Sequence, residues 1–334
     1  TIAGGSANSI TNGDAFLLSG ANTLTTLDNT RGTISTGLGG NAVNINNAGG
    51  VITTLNNTSG HITATTGVAI SGTGTITTLN NTSGTISATT GVAAINVLVA
   101  GGLPTVTNTS GLITSANTGG TEGTIRVGAI DPGAIAITGG TISNTGGGNA
   151  LYLGATAWVG TGMTLTNVAV SGLVTAGAAA QKLTYIGTTS VSGVTDLGAG
   201  ANTLTIGDGT TTTTFSTAAA TTASGTIDTT VKAAATMNIG HAYTAGAGAL
   251  GVNAGGTLNV TAGAFNNTAG AFTNAGTSTF GSSGGQTVGA IANAATGVLN
   301  VTQDMTATTV TNATGGVIEV SANKTLTATT SVDG

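Results

Sequence analysis

Residues 52–75 read ITTLNNTSGHITATTGVAISGTGT, and residues 76–99 read ITTLNNTSGTISATTGVAAINVLV. The second stretch nearly copies the first, Ile76 standing for Ile52 and Gly91 for Gly67, which marks one structural unit used twice in succession. Weaker copies flank them: TTLDNTRGTIST begins at Thr25 and TVTNTSGLITSA at Thr105. The cadence L-x-N-T-x-G-x-I-[ST] therefore recurs around Leu27, Leu55, Leu79 and Val106. Within it, single apolar residues alternate with Thr, Ser and Asn, the period-two pattern of a half-buried strand. Glycine then supplies the positive-φ conformations expected at the corners.

The last third carries a second unit, in which an Asn-Ala pair leads through Gly into a short alternating strand. It reads NAGGTLNV from Asn253, NAGTSTF from Asn274, NAATGVLNV from Asn293 and NATGGVIEV from Asn312. The strand centres Leu258, Ser278, Leu299 and Ile318 follow one another at a nearly constant spacing, and Met237 precedes them by the same step. Across both arrays the period is about 19–24 residues, and with short strands and Gly/Asn turns it is that of one coil of a parallel β-solenoid. Each coil buries its inward Ile, Val or Leu only when the next coil stacks on it. Roughly fifteen coils at the strand spacing of about 4.8 Å would span on the order of 70 Å.

Composition agrees with a thin, all-β core. Of 334 residues, 39% are hydrophobic, 4% charged and 3% aromatic, with 58 Gly and two Pro. That hydrophobic share separates the chain from disordered low-complexity sequences, which cannot offset the entropy of folding. Thr, Val and Ile suit a pleated surface because of their branched β-carbons. The few aromatics point to a core of aliphatic side chains. One continuous solenoid over residues 1–334 is expected, with a first repeat array at 20–115, irregular coils with insertions at 116–235 and a second array at 236–330.

Asn57 and Asn81 occupy equivalent positions one repeat apart. Their amides either stack into a hydrogen-bonded ladder or serve as left-handed turn residues, and the sequence leaves both open.

The pattern TLNNTSGTISATTGVAAI resembles the repeats of the right-handed parallel β-helical regions of bacterial autotransporter passengers and filamentous-haemagglutinin-type adhesins. The likeness covers residues 20–115 well and 236–330 moderately. It implies a right-handed β-helix and an extracellular location on the bacterial cell surface, and it transfers no catalytic residue. A C-terminal membrane barrel of short alternating strands, part of the autotransporter plan, has no counterpart in the sequence. The start at Thr1, without Met, suggests a processed protein or a fragment.

Net charge is −5, and the five basic residues, Arg31, Arg126, Lys182, Lys232 and Lys324, are scattered. No nucleic-acid partner is expected from so few cations. No stretch reaches the ~18 apolar residues of a membrane-spanning helix. With no Cys and two His, His61 and His241, no metal or cofactor is expected. His61 stands where the next repeat has Thr85, as at a solvent-facing position. The ten acids are dispersed; Asp208 and Asp228, separated by roughly one coil, come closest to stacking, with Lys232 nearby. A glycosidase pair or a calcium site there is a lesser reading beside solvated turn positions. Glu122 and Arg126 read as a surface ion pair.

Tyr152, Trp158 and Tyr185 form either a sugar-stacking platform or, more in keeping with aromatic burial, part of the core. Thr-x-Thr recurs at 203–205 and 325–327, as on ice-binding solenoids, yet the copies show no strict in-register column.

The expected function is structural and non-enzymatic: a self-assembling extracellular fibre or surface-layer subunit or adhesin stalk. Its partner would be another copy of itself, with host-surface or matrix glycans as further candidates. A rigid spacer within a giant monomeric adhesin is the alternative, followed by a β-helical polysaccharide-active enzyme or an ice-binding protein.

Overall fold

The computed structural model describes residues 2–4 and 8–334. Every regular element among them is a β-strand, and the strands pair in parallel as a β-solenoid of about 13 turns, close to the expected fifteen. The chain divides into two compact units, Thr1–Gly177 and Ala178–Gly334.

In the first unit each complete coil has three sides. Val51–Thr58, His61–Ala64 and Ile70–Gly72 make one coil, and Thr75–Thr82, Thr85–Ala88 and Ile95–Val97 make the next. Identical residues then stand in register: Leu55 on Leu79, Asn57 on Asn81, Ile62 on Ile86. The first side carries an inward column of Leu27, Leu55, Leu79, Val106, Ile137 and Leu165, all buried. On the second side Ile34, Ile62, Ile86, Ile113, Ile142 and Val170 do the same. Each buried side chain contributes about 1.5–3 kcal/mol relative to exposure, and it does so only because a coil covers it.

Coil length varies more than the repeats indicate. Counted in chain positions it is 24 between the register partners Asn57 and Asn81 and 28 between Asn29 and Asn57. Between Val106 and Ile137 it is longer still. Extra residues gather at corners: residues 116–124 separate Leu112–Ser115 from Ile125–Val127, whereas residues 65–69 suffice between His61–Ala64 and Ile70–Gly72. Surface loops accept such insertions at small entropic cost while the strand register is kept.

The second unit begins with three sides and ends with two. Thr226–Val231, Ala235–Ile239 and Tyr243–Thr244 make a three-sided coil. Gln286–Asn293 pairs with Phe265–Asn267 through its first half and with Phe272–Asn274 through its second, so one long strand replaces two sides and their corner. Met305–Asn312 and Leu326–Asp333 stack on it in turn. Losing a corner shortens the coil, so that Asn312 follows its register partner Asn293 by only 19 in chain position. The spacing read from Met237, Leu258, Ser278, Leu299 and Ile318 is confirmed, since these residues are successive register partners on the second side.

The core of the second unit departs from the aliphatic expectation. Tyr185 stacks on Phe215 with ring centroids 4.2 Å apart, and Tyr243 on Phe265 at 5.0 Å. Phe280 meets Phe265 and Phe272 edge-on at 5.2 and 5.5 Å. Parallel register sets Tyr243 on Phe265, whereas the other contacts join rings from different sides of the coils.

Candidate functional site

The polar residues best placed to do something are the asparagines that line the inside of one corner in several successive coils. Asn29, Asn57, Asn81 and Asn108 are buried at the end of the first-side strands. Asn29 Nδ2 donates to Asn57 Oδ1 at 2.7 Å, Asn57 Nδ2 to Asn81 Oδ1 at 2.8 Å, and Asn81 Nδ2 to Asn108 Oδ1 at 2.7 Å. Two of the amides also close their own corners: Asn57 Nδ2 donates to the Gly60 carbonyl and Asn81 Nδ2 to the Gly84 carbonyl, both at 3.1 Å. Ladder and turn are thus one device, with the amide serving the stack through one bond and the corner through another.

The corner itself differs from expectation in two ways. The left-handed residues are Arg31, Ser59, Ser83 and Ser110, at φ 53–57°, each two positions after a ladder asparagine. Gly60, Gly84 and Gly111 are needed for close approach, not for positive φ: a Cβ at Gly84 would stand 2.5 Å from Asn57 Nδ2 and 2.6 Å from Asn81 Oδ1. Side chains and the ladder cannot share that space.

The second unit rebuilds the device from a different repeat. Asn274 Nδ2 donates to Asn293 Oδ1 at 2.8 Å, and Asn293 Nδ2 to Asn312 Oδ1 at 2.7 Å. Asn253, grouped with them by sequence, is excluded, because Val252 is the residue in register with Asn274 and Asn253 is exposed. Asn267 is buried in a similar N-x-x-G corner, but Val288 is its register partner, and neither side-chain polar atom has a hydrogen-bond partner.

Outside, the amides form a second set of ladders with opposite polarity. Asn80 Nδ2 donates to Asn56 Oδ1, and Asn56 Nδ2 in turn to the Asp28 carboxylate. Asn259 Nδ2 donates to Asn238 Oδ1 at 2.9 Å, again toward the N-terminal coil.

The candidate catalytic groups are not assembled. Asp228 is in register with Thr203, so it does not stack on Asp208, which lies in the turn after Ala201–Ile206. The Asp208 carboxylate accepts the backbone N–H groups of Thr211 and Thr210 at 2.7 and 2.8 Å and both their hydroxyls. Those bonds, the Thr211 N–H first, hold its carboxyl below the usual carboxylate range. Asp228 accepts the Ala249 N–H at 2.8 Å. The Glu122–Arg126 ion pair is absent; Arg126 donates instead to the Thr121 carbonyl at 2.8 Å and to Asn96 Oδ1 at 2.9 Å. His61 and His241 are exposed, and no group of three His, Asp or Glu side chains is gathered among the described residues.

Tyr152, Trp158 and Tyr185 are buried, which removes the sugar platform; Trp158 Nε1 donates to the Leu153 carbonyl at 2.9 Å. Thr203 and Thr205 lie on the first side, where Thr203 stands between Lys182 and Asp228. A strict threonine column does exist, on the second side of the second unit, through Thr214, Thr236, Thr257 and Thr277. No repeated motif marks it in the sequence, because its members sit a coil apart in stretches of differing composition.

No family model, curated protein or solved structure matches the chain. No helix among the described residues is long and apolar enough to cross a membrane.

Proposed function

We propose that the chain is a structural, non-catalytic subunit of an extracellular bacterial fibre or surface layer, joined end-on to other copies of itself. The supporting observation is the last coil. Val317–Val320 and Leu326–Asp333 are each paired on one side only among the described residues. Leu299 and Val301, one coil earlier, are 0% exposed, whereas Val320 is 43% and Val332 71% exposed. The core columns thus run through the last described coil, and its strand edges are a template for another parallel coil, whether of a further copy or of the same chain. A coil of the same apolar alternation fits that template best, since every interface within each unit is of this kind. The adhesin-like repeats and the very low charge, which limits repulsion between subunits, favour the same reading.

Light scattering and negative-stain microscopy of the purified chain over a concentration series test the proposal. Growth of filaments with concentration, abolished by Val320→Lys with Val332→Lys, is the expected result. A monodisperse monomer at all concentrations would overturn it and favour a spacer segment within a longer adhesin.

A further inference from the structure

The second side of the unit Ala178–Gly334 carries an ordered polar face. Thr188, Thr214, Thr236, Thr257 and Thr277 are consecutive register partners, one per coil, with no shift between them. Two positions along each strand, Ser190, Ser216, Asn238, Asn259 and Thr279 form a parallel column. Between the columns the inward residues, among them Phe215, Met237 and Leu258, are buried and hold the backbone from beneath. No charged residue enters either column before Glu319.

The two columns differ in what they leave free. In the second, Asn259 donates to Asn238 at 2.9 Å and Asn238 to Ser216 Oγ at 3.4 Å. In the first, the hydroxyls of Thr214, Thr236, Thr257 and Thr277 have no protein partner among the described residues, and all four are half-buried or exposed. Four unpartnered hydroxyls in a row, each on a β-branched side chain with few χ1 choices, repeat at about 4.8 Å.

Water molecules joined by hydrogen bonds of about 2.75 Å at tetrahedral angles have second neighbours about 4.5 Å apart. The column therefore meets alternate waters of a tetrahedral lattice with an offset of about 0.3 Å per coil. Over the three intervals from Thr214 to Thr277 the offset stays near about 1 Å, well under half a repeat. The γ-methyl groups pack against the lattice, and the lack of charge avoids hydration shells of competing geometry. We propose that this face binds crystalline water, that is, ice, through the threonine column. The activity is independent of end-on assembly.

The test uses the full chain, fluorescently labelled, in ice-affinity and ice-recrystallisation assays. The wild type is expected to enter growing ice and suppress recrystallisation. Thr236→Lys with Thr257→Lys should weaken both by about tenfold or more. Thr273→Lys, an exposed position on the first side, should leave them unchanged. Circular dichroism confirms that each variant is folded. Exclusion of the wild type from ice, or full activity in the double variant, would overturn the proposal, as would retention on crystalline cellulose without retention on ice.

Discussion

A single asparagine in this protein is worth what its register partners make it worth. Asn81 accepts from Asn57 and donates to Asn108, so Asn81→Ala removes one of the bonds of the Asn57 amide and leaves the buried Asn108 Oδ1 and the Gly84 carbonyl without the donor they share. The expected loss is about 1–3 kcal/mol, read as a lower urea midpoint at unchanged slope. Asn267 is the opposite case, with the same residue type and burial but no ladder. Asn267→Leu, which keeps the branching and removes both unpaired polar atoms, should raise stability by about 1 kcal/mol in the same assay. The sequence made Asn57 and Asn81 legible because their offset along the chain is also their register. It hid the left-handed serines, because only the finished corner shows that Ser83, and not Asn81 or Gly84, bends the chain.

The buried tyrosines give the residue scale a pH dependence. Burial raises the hydroxyl pKa of Tyr185, whose oxygen lacks a partner. Tyr243 is raised chiefly by burial, against a lowering by its bond with Thr229 and with a further push from Asp228. For a group whose folded pKa lies above its unfolded value near 10, stability is complete below that value and is lost as pH rises past it. Thermal midpoints should therefore hold from about pH 7 to 9 and fall above about pH 10. Tyr185→Phe should blunt the fall.

Strands and corners set the next scale. Ser278 occupies a column otherwise filled by Met237, Leu258, Leu299 and Ile318, and its Oγ donates to Asn274 Oδ1 at 2.8 Å. Beside it Phe280 meets Phe272, so the small residue makes room for rings and links the column to the ladder. Ser278→Leu, which periodicity alone would recommend, is expected to cost about 1–3 kcal/mol by overpacking, measurable by chemical denaturation. Periodicity located this strand and its neighbours correctly because the second-side strands keep a nearly constant spacing. It failed for Asn253, where the Asn-Ala signature recurs one position out of register. Pairing is decided by the apolar column beneath, and a one-residue slip would turn that column outward. The same reason explains why the acids could not be placed: Asp208 belongs to a corner whose length no repeat dictates.

At the scale of the molecule, repetition in sequence and repetition in space coincide most closely across residues 52–99. On their first and second sides identical residues stand in register. Every coil interface there has the same apolar columns and the same asparagine bond, so each interface accepts any neighbour with that pattern. Whole coils are then interchangeable units. Removing residues 76–99 would bring Leu55 onto Val106 and Asn57 onto Asn108, partners of the kind each already has. The shortened chain is expected to melt cooperatively, with its denaturant slope reduced in proportion to one lost coil. Removing residues 88–99 cuts the turn count by a fraction and should abolish folding. Genetic drift in such a gene would leave whole-coil gains and losses, and residues added at corners, largely unpunished while eliminating cuts through a strand, so lineages should differ in coil number and corner length but not in strand register.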